Sequence, residues 1–246
     1  KKSYLSIFNN IYTYYYNMYI ASFDIGKKNF AFYIEEINTN DLKIVNIPLS
    51  KRYNADGTPT SEMSNILNSI YKNGKMVLFK NLDLTENCEK KCYLDPQIFI
   101  NMNNVLDSYS EYWDKCSYFV IEQQMSFGKN KINTMALKLG QHCYSYFLFR
   151  YGTFKKPIEF PAYHKTKVLG CSKIQNKLKN GKIRYKNINK PQRKKWAVKK
   201  AIEILTLRND IETLDIISTH KKKDDLADTL IQLQAFKFLY LYTNND

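Results

Sequence analysis

Apolar and polar positions alternate in two short runs early in the chain, and helical spacing takes over further on. Residues 18–25 (Met-Tyr-Ile-Ala-Ser-Phe-Asp-Ile) and 29–37 read as strands joined by a tight turn at Gly26-Lys27-Lys28, which predicts a hairpin. Residues 42–49 alternate well enough to predict a third strand, and 76–84 a further one. The spacing of Met63, Ile66, Leu67 and Ile70 predicts a helix over 61–71. Asp95-Pro96 is a helix start, Asp as N-cap and Pro at the first helical position, for a helix running to Trp113. A short apolar strand, 117–122, ends in Glu122. Residues 133–150 predict a long helix buried on much of its circumference. Pro191 opens a helix to Leu207, and Lys222 or Asp224 opens a last one, in which Leu226, Leu230, Leu233, Phe236 and Tyr240 follow helical spacing. Residues 172–190 are polar, basic and without period, and read as a long loop. Strands first, then helix, strand, helix and two more helices predict an α/β fold with a mixed sheet. Without an internal repeat or a linker, 1–246 reads as one domain.

Composition narrows the function classes. The chain has 246 residues, 44% hydrophobic and 15% aromatic, enough to bury a core. No run of apolar residues is long enough to span a membrane, and the tyrosine-rich start has no signal-peptide pattern, so no membrane partner is expected. Five cysteines, odd in number and scattered, predict free thiols and an intracellular, reducing compartment. Cys88 and Cys92 lack the second pair that a zinc site would need.

Charge is more specific. The net charge is +15, yet residues 150–200 hold 17 basic side chains and one acid, Glu159, while the remainder carries 21 basic against 22 acidic. Tyr163, Tyr185 and Trp196 are interleaved with these cations. Lysines and arginines that neutralise phosphates, beside aromatics that stack on bases, point to nucleic acid. The contact candidates are Lys167, Lys173, Lys177, Lys179, Lys182, Arg184, Lys186, Arg193 and Lys194. A solvated lysine face is the alternative.

Four acids stand where acids are costly unless used. Asp24 lies inside an apolar run, Glu122 ends one, and Asp225 and Asp228 are three apart on one helical face. Carboxylates brought together repel one another, and a hard divalent cation bound through oxygen is the usual compensation. Two such ions can activate water and stabilise the leaving oxygen in phosphodiester cleavage. Taken singly, Asp24 also reads as a turn acid, Glu122 as a surface acid, and Asp224, Asp225 and Asp228 as complements to the helix dipole.

Four stretches, in order, carry a family resemblance: Ser22-Phe23-Asp24-Ile25-Gly26; Val120-Ile121-Glu122-Gln123-Gln124; Ala136-Leu137-Lys138-Leu139-Gly140-Gln141; and Asp224-Asp225-Leu226-Ala227-Asp228. Together they resemble the RuvC-like Holliday junction resolvases, including the mitochondrial and large-DNA-virus members. The resemblance implies a ribonuclease H-like fold, a central mixed five-stranded sheet flanked by helices. It implies that Asp24, Glu122, Asp225 and Asp228 hold two Mg2+ ions, for which Mn2+ substitutes, with Asp224 a neighbour. It also implies a lysine near the scissile phosphate: Lys165, or Lys194 or Lys195 ahead of Trp196, with Lys165 and Lys195 taken as catalytic. The implied partner is a four-way junction or other branched DNA, cut by paired symmetric nicks. A homodimer matches the junction's two-fold symmetry, with the helix at 133–150 and its Tyr144, Tyr146 and Phe147 as the interface unless those rings face the core. No nucleotide cofactor is implied. The first 17 residues, extra chain around 52–73 or 85–95, and the basic loop at 172–190 depart from the compact bacterial pattern. The competing readings are a ribonuclease H or transposon-associated nuclease, an actin-like ATPase, which would need a second phosphate loop that is missing here, and a DNA-binding protein without activity.

Overall fold

The computed structural model describes residues 17–88, 95–124, 133–178 and 180–243. Its centre is a five-stranded sheet in the order β3-β2-β1-β4-β5. β1 (Asn17–Asp24) and β2 (Phe30–Asn38) form the expected hairpin, paired from Asn17↔Asn38 to Asp24↔Ala31. β3 (Lys75–Leu82) adds antiparallel to the outer edge of β2, whereas β4 (Cys116–Gln123) and β5 (Lys156–Pro161) run parallel to β1. This mixed sheet is the arrangement expected of a ribonuclease H-like fold.

Helices cover both faces. α1 (Ser61–Lys72), α5 (Lys190–Arg208), α6 (Ile211–Thr219) and α7 (Lys223–Leu241) pack on one, around Ile20, Tyr33, Val120, Phe160 and Phe236. α2 (Pro96–Ser108) and α3 (Thr134–Tyr151) pack on the other, around Phe23, Phe32, Phe119, Trp113 and Phe147. Strand alternation sends successive residues of β1 into these two cores in turn. Asp95 caps α2 by accepting from the Gln97 amide, as its position ahead of Pro96 predicts. The helix breaks at Tyr109, and a single turn, Ser110–Trp113, completes the stretch.

Three expectations are corrected. Residues 42–48 are not a strand, because β3 already pairs with the edge of β2 from Phe30↔Leu82 to Glu36↔Lys75. They cross the end of α7 instead, where the Val45 amide donates to the Tyr242 carbonyl at 2.7 Å. The sheet's fifth strand is β5, hidden in the sequence by Pro157 and Pro161 and tolerated because β5 is an edge strand. Residues 172–190 are not a loop: β6 (Ile174–Lys177) and β7 (Ile183–Lys186) form a separate two-stranded ribbon. Both of its faces meet solvent, so it lacks the apolar alternation that betrays a half-buried strand. The short helix α4 (Tyr163–Val168), between β5 and the ribbon, and α6 carried no sequence signal strong enough to read.

The rings proposed for a dimer interface turn inward. Phe147 is fully buried and stacks on Phe119 with centroids 3.9 Å apart, and Tyr144 and Tyr146 pack partly buried on the same core. Behind the sheet, Glu35 accepts from Lys237 Nζ at 2.6 Å and Arg208 Nη1 at 2.9 Å, all three buried. Gln234 and Tyr33 complete this network. Gly74 lies against the Glu35 carboxylate and leaves no room for a Cβ.

Candidate active site

The carboxylates converge because of how α7 lies on the sheet. β1 and β4 are parallel neighbours in register at Phe23↔Ile121, so Asp24 and Glu122, one residue further on, stand side by side at the last residue of β1 and the last but one of β4. Both point to the face that α7 covers, since Ser22 and Val120, two residues earlier, meet that helix. The fully buried Gln232 fixes the helix there: its Nε2 donates to Ser22 Oγ, the Phe23 carbonyl and the Val120 carbonyl, each at 3.1 Å. One turn back from Gln232 stands Asp228, and one turn further Asp225 and Asp224. One turn forward, Phe236 meets Tyr118 and Phe160. The steps Glu122, Val120, Tyr118 down β4 thus match Asp228, Gln232, Phe236 along α7, because two strand residues and one helical turn cover similar lengths.

Lys165 enters from α4. Its ammonium lies 3.3 Å from Glu122 Oε2 and 3.3 Å from Asp228 Oδ1, and the side chain is 6% exposed. Burial alone would lower its pKa, but Glu122, Asp228 and Asp24 outweigh burial and raise it, so Lys165 is a fixed cation. The acids respond in the opposite sense. Burial and then the Glu122 charge push the Asp24 carboxyl well above the usual carboxylate range, against the pull of Lys165. Burial and then Asp224 raise Asp225; burial raises Asp228 despite Lys165. Asp224 behaves differently: its ion pair with Lys194 of α5 outweighs burial and lowers its pKa. Asp24, Glu122, Asp225 and Asp228 therefore share one locus, with Lys165 as the cation between them and Lys194 at the rim.

That donor set suits a hard divalent cation, being all carboxylate oxygen and in excess of its buried counter-charge. Among the described residues no three His, Cys, Asp or Glu side chains are closed up into a ready metal cage. The Lys165 ammonium stands between two of the acids.

No protein-family model matches the chain. The uncharacterized protein 170L of Invertebrate iridescent virus 6 is 38% identical over 238 residues, covering 92% of this chain and 91% of that protein. The chain belongs to the 170L family. The uncharacterized protein 97L of Invertebrate iridescent virus 3 is 28% identical over 226 residues, covering 89% and 98%. Among solved structures, the fowlpox virus resolvase in complex with its substrate Holliday junction DNA is similar over 91% of this chain and 99% of that one, at 18% identity and a TM-score of 0.47. The yeast mitochondrial Holliday junction resolvase (89% and 82%, 13% identity, TM-score 0.46) and Thermus thermophilus RuvC (92% and 99%, 8% identity, TM-score 0.46) are similar as well.

In this 170L-family chain the remaining sequence-predicted residues divide. Lys194, not Lys195, reaches the acids; Lys195 is exposed on α5, and among the described residues it makes no ion pair. Lys167, Lys173, Lys177, Lys182, Arg184, Lys186 and Arg193 are exposed, as phosphate contacts need to be. Lys179, Cys92 and the segment before Asn17 lie outside the described residues. Tyr163 is 60% exposed, whereas Trp196 packs partly against the core and is poorly placed to stack on a base. Two residues carried no flag in the sequence, Gln232 and its partner Ser22. A glutamine in the middle of an otherwise apolar helical face was the one available signal.

Proposed function

We propose that this chain is a divalent-metal-dependent endonuclease of the RuvC-like resolvase type, nicking branched DNA and resolving four-way junctions by paired cuts. The observation that carries this reading is the convergence of Asp24, Glu122 and Asp228 with Asp225 around the buried cation Lys165. Buried acids such as Asp24, Asp225 and Asp228, raised in pKa by burial first and then by neighbouring carboxylates, are poor structural elements and good ligands for cations.

Bound through these oxygens, two Mg2+ ions would supply activation of water and charge stabilisation at the phosphate, with Mn2+ as a substitute. The chain's own residues hold the frame. β1 and β4 fix the spacing of Asp24 and Glu122, Gln232 fixes α7 over them, and Lys165 keeps Glu122 and Asp228 from splaying apart while offering positive charge towards an approaching phosphate. Lys194 neutralises Asp224 and leaves the other four acids to the cations. The products would be 5′-phosphate and 3′-hydroxyl ends, and a homodimer working in a reducing compartment would place two such sites on opposing strands.

Cleavage of a labelled four-way junction tests this, beside duplex, single-strand and RNA/DNA hybrid controls, with magnesium, with chelator, and with Asp24→Asn. Paired symmetric nicks, lost in chelator and in the variant, are expected. Cleavage of the hybrid alone would move the substrate to a ribonuclease H type. A junction bound but left intact under every metal tried would remove the enzyme reading.

A further inference from the structure

Among the described residues, no helix or strand packs closely on the ribbon formed by β6 and β7. Apart from half-buried Asn176 and Tyr185, its described side chains from 172 to 187 are exposed, including Ile174 at 47% and Ile183 at 55%. Isolated two-stranded ribbons are marginal in water and gain stability from a surface laid against them. No acid occurs between 172 and 190, so that surface is a polyanion.

Pairing decides which side chains meet it. The register Ile174↔Lys186 and Asn176↔Arg184, continued by the Leu178 amide donating to the Lys182 carbonyl at 2.8 Å, sets Lys182, Arg184 and Lys186 in one row with Ile174, Asn176 and Leu178 beside them. The opposite face carries Gln175, Lys177, Ile183 and Tyr185, with Lys177 as the one cation among the paired residues of β6 and β7. Successive cations in the row are about 7 Å apart along the strand. Phosphates on one nucleic-acid strand advance about 3.4 Å each along the duplex axis while winding around it, so their spacing along the backbone itself is larger and close to that of the row.

The root of the ribbon is fixed to the candidate site. α4, which carries Lys165, leads into it through Gly170, whose φ of 74° places it in the left-handed region and whose Cβ position is filled by Pro59. The Lys173 amide donates to the Asp56 carbonyl at 2.7 Å, and Tyr53 Oη donates to the Val168 carbonyl at 2.7 Å. The extra chain after β2 is thus the buttress of the ribbon. Beyond β7, a capping box at Asn189 and Gln192 starts α5, which carries Lys194 to Asp224. Both ends of the ribbon therefore run straight into elements that supply the site with cations.

We infer that the Lys182–Arg184–Lys186 face of the ribbon lies along the phosphate backbone of a duplex arm and holds it beside the carboxylate site. This deepens the nuclease reading and rests on it for the position of the cut, whereas the duplex contact itself does not need cleavage.

The test compares the full chain with a Lys182→Gln/Arg184→Gln/Lys186→Gln variant and a charge-matched control, Lys72→Gln/Lys75→Gln/Lys80→Gln, at the far edge of the sheet. Equilibrium binding to a duplex and to a four-way junction is measured from 50 to 300 mM salt in chelator, with nicking in magnesium measured alongside. Each lost phosphate contact lowers the slope of log K against log salt by about 0.9, so a fall of between two and three is expected for the ribbon variant. The control should change it by less than one. An unchanged slope in the ribbon variant, or an equal fall in the control, overturns the inference, as does binding to anionic vesicles without binding to duplex. If the ribbon slope falls but wild type never nicks the junction, the contact stands and the nuclease reading fails. If wild type nicks while the ribbon variant keeps its slope, the reverse holds.

Discussion

Gln232 sits one helical turn beyond Asp228 and donates its amide to the carbonyl of Phe23, the residue immediately before Asp24. The same amide reaches Val120 on the neighbouring strand, so one side chain ties together the three elements that bear the acids. Replacing Gln232 by Leu leaves two buried carbonyls short of a donor, at a cost of about 1–3 kcal/mol. We expect a urea midpoint lowered accordingly and nicking slowed by roughly tenfold or more, since misplaced groups lose rate steeply, with junction affinity in chelator unchanged. A variant that is destabilised yet nicks at the wild-type rate would reduce Gln232 to a packing residue.

Asp24 is the most strained acid of the set, its carboxyl pushed well above the usual range by burial and by Glu122. A folded value above the unfolded one means that ionisation costs stability at neutral pH. Asp24→Asn should therefore melt higher than wild type in chelator at pH 7.5, each 1 kcal/mol of relief appearing as about 2–4 °C. Magnesium should narrow that gap by stabilising wild type, while the variant loses nicking. Differential scanning calorimetry with and without magnesium reads both effects; a variant that melts lower in chelator would contradict the repulsion argument.

Lys165 is buried against Glu122 and Asp228, and removing it leaves both acids without their shared cation. Lys165→Met is expected to lower stability in chelator by about 3 kcal/mol or more, in the range for breaking a buried pair from one side. Magnesium should restore more stability to this variant than to wild type. Nicking should remain depressed even at saturating metal. Thermal melts across a magnesium titration check the first two points and gel assays the third.

The Glu35 network sets the pH response of the scaffold. Burial alone would raise the Glu35 carboxyl, but Arg208 and Lys237 outweigh it and bring it from 4.5 down to about 2. The folded state then binds fewer protons than the unfolded chain between those values, so this contribution is complete above pH 4.5 and disappears as pH falls towards 2. Lys237 is lowered from 10.5 to about 8, by burial and by Arg208 against the attraction of Glu35. Its folded form sheds the proton first, so stability should rise as pH climbs from 8 towards 10.5. Urea midpoints against pH should show both limbs in wild type, with the acid limb flattened in Glu35→Gln and the alkaline one in Lys237→Met.

Much of this was legible because the chemistry and the period coincide. Asp24 and Glu122 close apolar runs, and Asp225 and Asp228 share a helical spacing; in each case an acid interrupts a pattern whose burial is otherwise assured. β1, β2, α1, α2 and the last helix follow from the same alternation and capping signals. The misreadings have one cause in common, which is that their signals depend on neighbours far away in sequence. Residues 42–49 alternate as well as 75–82 do, and only competition for the edge of β2 excludes them. β5 is short and bracketed by prolines, which an edge position forgives. The ribbon has no buried face and hence no pattern. Lys194 and Lys195 are adjacent in sequence, and the helical rotation between them decides which meets Asp224.

By itself the sequence determined the basic excess of residues 150–200, the set of acids and the order of the elements that bear them, because residue chemistry and local period are written along the chain. The tertiary structure decided which lysine joins those acids, which glutamine seats α7 over them, and which face of the ribbon is basic. Those are matters of register between separate elements, and register comes from strand pairing and helix packing, not from any one segment.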